Sequence, residues 1–186
     1  MNSKQVCVNH TSFSDGVLCE GSRIGDADAF AELYRRYLNS IYRFLFRRTG
    51  GNIALSEDLT SQVFLDALDN LPHYHERSSF AAWLFTIARR RLADHYRNGK
   101  MYLLDEIPDE LFGISDRSED RENMEHLKQL LSVLDEEKRE LLQLRFSAEL
   151  SFSDMAVVLG KSEAAVKMSL YRVLDWLRGQ WEAGNE

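Results

Sequence analysis

A chain of 186 residues with two prolines has few places where a helix is forced to stop, and this scarcity constrains the fold more than any other feature. Proline breaks a helix interior because it lacks an N–H and collides with the preceding turn. Here the only such stops are Pro72 and Pro108. Around them, apolar residues recur at spacings of three and four, and no run alternates β-branched with polar residues as a half-buried strand would. The expected class is all-α. With 44% hydrophobic residues the chain can bury real cores, which excludes disorder throughout. Its longest nearly apolar run, 81–88, falls far short of the roughly 18 residues a membrane span needs. The N-terminal stretch lacks the continuous apolar segment of a secretory signal. A cytoplasmic protein without direct membrane insertion is expected.

The formal net charge of −7 argues against a protein that holds nucleic acid by bulk positive charge. That charge is unevenly placed. Segment 99–125 carries nine acidic and three basic residues, contains Gly99, Pro108 and Gly113, and keeps no helical stripe for long, so it reads as a flexible acidic linker. The expected order is an N-terminal tail with the start of a first helix (1–22), a small helical domain (23–98), the linker (99–125), a second small helical domain (126–181) and a short C-terminal tail (182–186). Cys7 and Cys19 are too few for a disulfide framework. Both sit in the polar N-terminal stretch, outside the expected core, and with His10 their spacing is too irregular for a metal site. No metal or cofactor is expected.

The second domain carries the most specific pattern. One helix runs through Leu127, Leu130, Leu131 and Leu134; another, from about Glu136, carries Leu141, Leu142, Leu144 and Phe146. Ser151 and Asp154 have the spacing of a capping box, a short helix follows to Leu159, Gly160 can take the left-handed conformation that ends it, and Ser162 can cap the next helix. In that helix Val166, Leu170, Val173 and Leu177 share a buried face. Glu163, Ala164, Lys167, Met168, Tyr171 and Arg172 share the other. A short helix, a glycine turn and a longer helix with polar and cationic early turns make a helix-turn-helix, whose second helix enters the major groove; the bland alternative is a helical hairpin with a solvated face. Glu163 can accept from a cytosine amino group, Lys167 can donate to guanine, and Met168 or Tyr171 can touch a thymine methyl. Lys161, Arg172 and Arg178 suit phosphates.

In the first domain Asp26 caps a helix bearing Phe30, Leu33, Tyr34, Tyr37, Ile41, Phe44 and Leu45 as a core stripe, and Gly50 and Gly51 break it. Ser56, with Glu57 and Asp58, opens a third helix, on which Leu59, Val63, Ala67 and Leu71 face inward. Outward stand Asp58, Gln62, Leu65, Asp66 and Asp69, either a solvated face or, given a leucine among carboxylates, the seat of a basic protein partner. Pro72 ends this helix. After the loop 73–79, a helix from Phe80 to Arg97 begins apolar and ends basic, with Arg89, Arg90, Arg91 and Arg97 placed to lie along a phosphate backbone. Asp94 and His95 mimic a catalytic pair, but as sequence neighbours on a helix they point about 100° apart.

Gly25 to Phe30, Ser56 to Leu59 with Val63 and Phe64, Phe80 with Trp83 to Arg89, and Asp94 to Arg97 resemble the second conserved domain of bacterial sigma-70 family factors. Leu150, Ser151, Ala156, Leu159, Gly160, Ser162, Val166, Lys167, Leu170, Arg172, Leu177 and Arg178 resemble the fourth. Two domains joined only by a short acidic tether resemble the extracytoplasmic-function (ECF) subgroup. The resemblance implies a subunit without an active site that binds core RNA polymerase, reads promoter DNA and helps open it. It implies polymerase contacts, to the β′ clamp helices and the β flap, in which Glu57, Asp58, Gln62, Leu65, Asp66 and Asp69 meet the clamp. It implies minus-ten contacts by His75, Arg77, Ser78, Ser79, Phe80, Arg89, Arg90 and Arg97, with a base held out of the stack. Minus-thirty-five contacts fall to Lys161, Ser162, Glu163, Ala164, Lys167, Met168, Tyr171 and Arg172, and an anti-sigma factor is a further implied partner. The chain departs from its relatives in having Ser61-Gln62 for Gln-Glu, Arg90 for Asn, Met168 for Ser and Tyr171 for His.

Two rivals belong to other classes. A free-standing helix-turn-helix regulator has no reason to keep an acidic, leucine-bearing face on its first domain. A metal-dependent hydrolase would use His73, His75 and Glu76, a set without a positioned helix face. An acidic total suits a DNA reader that acts with a partner, because nonspecific affinity rests on phosphate neutralisation.

Overall fold

The computed structural model describes residues 10–74, 78–98 and 118–184. Cys7, His75, Glu76, Arg77, Gly99, Pro108 and Gly113 lie outside them. Eight α-helices fill the described residues, and none of these residues is in a strand: α1 (Asp15–Arg23), α2 (Ala27–Arg48), α3 (Ile53–Asn70), α4 (Phe80–Asn98), α5 (Ser118–Ser132), α6 (Glu136–Leu142), α7 (Phe152–Leu159) and α8 (Glu163–Gly184).

The helix ends follow local chemistry. Asp26 caps α2 by accepting from the amides of Asp28 and Ala29, and Gly50 and Gly51 end that helix at φ 78 and 67, a region open to glycine at little cost. α3 begins three residues earlier than its acidic residues suggest, because Asn52 caps it. Ser56 is instead buried inside the helix, its hydroxyl 2.7 Å from that of Thr49. The 3-10 turn Leu71–His73, with its proline, closes α3.

α2, α3 and α4 pack into one bundle. Leu33, Ile41 and Leu45 of α2, Val63 and Ala67 of α3, and Leu84, Phe85 and Ala88 of α4 are fully buried, each large side chain contributing about 1.5–3 kcal/mol by leaving water. α1 belongs to this bundle. Leu18 is fully buried and Cys19 only 1% exposed, so the expectation that Cys19 lies outside the core is wrong: α1 turns one apolar stripe onto α2, and the polar residues around Cys19 are its outer face.

In the second unit α5 starts at Ser118, so the last residues of the expected linker are helical. Asp135 caps α6, which passes into a π-helical turn, Gln143–Ser147. The extra residue in that turn rotates the face, leaving Phe146 exposed instead of in the expected apolar stripe. α8 runs to Gly184, past the expected start of a tail at 182. Trp181 near its end stacks on His126 of α5 at 4.9 Å, which supplies a partner that the tail composition conceals. The two units touch: α7 packs on α4, and one cluster of buried side chains continues from Leu92 through Leu144 and Met155 to Leu170.

Candidate functional site

Three surfaces present chemistry. The first is the outer face of α3. Leu65 is 61% exposed and Leu68 46%; Glu57, Asp58 and Asp69 are exposed around them. Two of the acidic-face residues are already engaged within the chain. Gln62 donates to Asp58 at 2.8 Å, and Asp66 accepts from both Nε and Nη2 of Arg91 on α4. Asp66 therefore braces α3 against α4, and the exposed remainder of the face is Leu65, Leu68, Glu57 and Asp69. Leu68 was not among the expected contacts; its signal was the three-residue step from Leu65.

The second surface is the start and outer side of α4. Ser79 caps the helix, accepting from the amide of Ala82 at 3.0 Å. Phe80 is 2% exposed and packs against Tyr37, Tyr74 and Trp83, so it supports Tyr74 and offers no ring at the surface. Tyr74 donates its hydroxyl to the carbonyl of Ser78, and Arg23 holds the carbonyls of Leu71 and Tyr74. The loop base is thus tied at both ends. Arg89, Arg90 and Arg97 are exposed, Arg90 and Arg97 sharing Asp94.

The third surface is the start of α8. Ser151 and Asp154 form the capping box, Ser151 accepting from the amide of Asp154 and donating to its carboxylate. Gly160 adopts φ 64 and Ser162 accepts from the amide of Ala165. Val166, Leu170 and Val173 face inward; Leu177, expected with them, is half-buried. Glu163, Ala164, Lys167, Met168, Tyr171 and Arg172 are exposed together. Lys167 lies 5.5 Å from the ring of Phe152, which also meets Tyr171, so α7 orients two of the outward side chains. Lys161 pairs with Glu137. Behind this surface, Val133, Leu134, Leu141, Val173 and Trp176 line a groove of about 520 Å³.

Comparison with known proteins gives this arrangement a family. The profile described as Sigma-70 region 2 matches residues 33–101, and that described as Sigma-70, region 4 matches residues 124–177. The ECF RNA polymerase sigma factor SigM of Bacillus subtilis is 30% identical over 82% of this chain and 95% of its own. The chain belongs to the ECF group of the sigma-70 family.

This sigma factor is also 36% identical to the ECF RNA polymerase sigma factor BldN of Streptomyces coelicolor, over 84% of the chain; the match spans 62% of that longer relative. In fold it is similar to the sigma factor RpoE of Bartonella quintana, solved in complex with the anti-sigma factor NepR, with a TM-score of 0.63 at 20% identity over 82% of this chain and 96% of that one. The two matched regions fall one in each unit, residues 33–101 in the first and 124–177 in the second. No described helix is long and apolar enough to cross a membrane.

Proposed function

We propose that this cytoplasmic sigma factor binds core RNA polymerase through the outer face of α3 and directs initiation at promoters read by α4 and α8. The observation that carries the reading is the pairing of two presented faces on separate units: a leucine-centred acidic face on α3, and the early turns of α8 set out by the Gly160 turn. Leu65 and Leu68 among carboxylates suit a basic, partly apolar helical partner such as the β′ clamp helices. The groove beside Trp176, lined by both apolar and charged side chains, suits the β flap.

Lys167, Met168 and Tyr171 lie within the first three turns of α8, the stretch that reaches base edges in a helix-turn-helix. Arg172 and Lys161 suit backbone contacts. At the other element, the tied base of the 74–78 segment with Ser79 holds the loop that would receive a flipped minus-ten base, and the α4 arginines follow the phosphates. An anti-sigma factor is a further proposed partner, supported by the complex in which the structural relative was solved. The test is reconstitution: core polymerase with this protein initiates at discrete genomic promoters, whereas a free-standing regulator would bind DNA and add no start sites.

A further inference from the structure

Helix α1 lies ahead of residue 33, where the match to Sigma-70 region 2 begins. It is nonetheless fastened into the first unit at both ends. At its start, Asp15 accepts from Arg36 Nη1 at 2.9 Å and from the Tyr37 hydroxyl, both on α2. At its end stands Arg23. A basic residue in the last turn of a helix ordinarily serves the free carbonyls of that helix. Arg23 instead sends Nε to the carbonyl of Leu71 at 3.3 Å and Nη2 to that of Tyr74, while Nη1 meets Glu20 at 2.9 Å. Every nitrogen of the guanidinium is engaged, which fixes its plane.

The two carbonyls belong to the turn that closes α3 and to the residue that follows it, where the chain has no helical partner of its own to offer them. The Arg23 guanidinium also stands 5.9 Å from the centroid of the Tyr74 ring, a distance at which cation and ring attract. Tyr74 is 5% exposed, its ring set against Phe80 and Trp83 of α4, and its hydroxyl donates to the Ser78 carbonyl at 2.7 Å. Phe80 in turn meets Tyr37, the residue that holds Asp15. Both ends of α1 therefore converge on one aromatic cluster. Arg23 sets where the chain leaves the bundle at Tyr74, and Tyr74 sets where it returns at Ser78.

We infer that Arg23 is a positioning residue for minus-ten reading: acting through Tyr74 from outside the matched region, it places Ser78 and Ser79 against an extruded base. This rests on the sigma-factor reading of those two serines. Taking a base out of the stack is costly, and the cost is offset only where the receiving groups already stand in place. A lysine at position 23 keeps the charge and loses the planar fork that serves two carbonyls at once, so Arg23→Lys separates placement from charge.

The experiment uses core polymerase reconstituted with the full chain, and two labelled single-stranded oligonucleotides from a promoter at which the wild-type protein initiates. One carries the natural minus-ten sequence. The other has an abasic site at the position where the wild type discriminates bases most. The readout is the ratio of the two affinities, which partial unfolding leaves unmoved because it scales both alike. Arg23→Lys should cut the ratio about tenfold and leave affinity for core polymerase unchanged. Tyr74→Phe removes only the hydroxyl tie to Ser78 and should cut the ratio about threefold. The double variant should fall no further than Arg23→Lys, because both residues act along one path. A wild-type ratio in either single variant would overturn the inference, as would losses that multiply in the double variant. If the wild-type protein initiates and the variants keep its ratio, only this inference fails; if it does not initiate, the sigma-factor reading fails first.

Discussion

Arg91 of α4 grips both carboxylate oxygens of Asp66 on α3, which makes a residue on the helix proposed to meet the polymerase a brace between two helices of its own bundle. The pair also holds Arg91 firmly protonated, its hydrogen bond to Asp66 acting first. Both side chains are partly exposed, so solvent screens the pair and it is worth only about 1 kcal/mol or less. Asp66→Ala is expected to lower unfolding free energy by roughly that amount, and a urea-denaturation cycle with Arg91→Ala should show coupling. Additive losses would separate the two residues.

Leu65 should behave differently, because it covers nothing within the chain. Leu65→Ala is expected to weaken association with core polymerase about tenfold, equivalent to ~1.4 kcal/mol, and to leave thermal denaturation unchanged. Asp69→Lys should act in the same direction. Pull-down or interferometry with core polymerase, set beside a melting curve, distinguishes a contact residue from a packing residue.

On α8, replacing Lys167 with alanine tests base reading. If Lys167 reads a base, the substitution costs ~1–3 kcal/mol and relaxes preference at one minus-thirty-five position. Arg172→Ala should instead weaken all sequences alike and reduce the salt dependence of binding by about one unit of slope. Holoenzyme binding to a set of single-substituted promoters separates the two patterns.

Gly160 holds the turn at φ 64 with nothing within 4 Å of where a Cβ would stand. Gly160→Ala therefore meets no clash and pays only backbone strain, roughly 1 kcal/mol. A lower melting temperature with unchanged helical content is expected; an unaltered melt would mean that the turn relaxes freely.

Acid should loosen the start of α2. The hydrogen bond with His10 foremost, and the Ala29 amide next, hold the Asp26 carboxyl below its ordinary 3.8. A depressed folded-state value gives stabilisation that is complete above the unfolded pKa and is lost as pH falls through the folded one. Asp26→Asn keeps an acceptor for the cap. It should flatten the loss of stability measured by circular dichroism between roughly pH 5 and pH 2; the wild-type slope persisting in the variant would remove Asp26 from the account.

What could be read from the sequence was what local rules govern. The core stripes of α2 and α3, the Asp26 cap, the Gly50-Gly51 break and the Ser151, Gly160 and Ser162 signals each depend on residues within one or two turns, and they appear where those rules put them, except that Tyr34, expected in the α2 stripe, is 40% exposed and lays its ring edge-on to Phe64. Departures arise where a distant partner decides. Ser56 is internal because Asn52 caps first and the Ser56 hydroxyl donates to the Asn52 carbonyl, beside the Thr49 hydroxyl. Cys19 is buried because α2 covers α1, and α8 outlasts its apparent end because His126 meets Trp181. Of the candidate contacts, exposure of Leu65, Lys167 and Met168 followed from helical phase alone. The engagement of Asp66 by Arg91 and of Arg89 by Glu140 required knowing which helices touch.

Val166, Leu170 and Val173 fix the first half of α8 in the core and the stack of Trp181 on His126 fixes its far end, so α8 is a strut held at both ends. At 1.5 Å per residue its 22 residues span about 33 Å, and Lys167 in the early turns stands about 21 Å along the axis from Trp181. A rigid helix anchored twice moves as one body, so a reporter placed near Trp181 registers any movement of the early turns while standing clear of them.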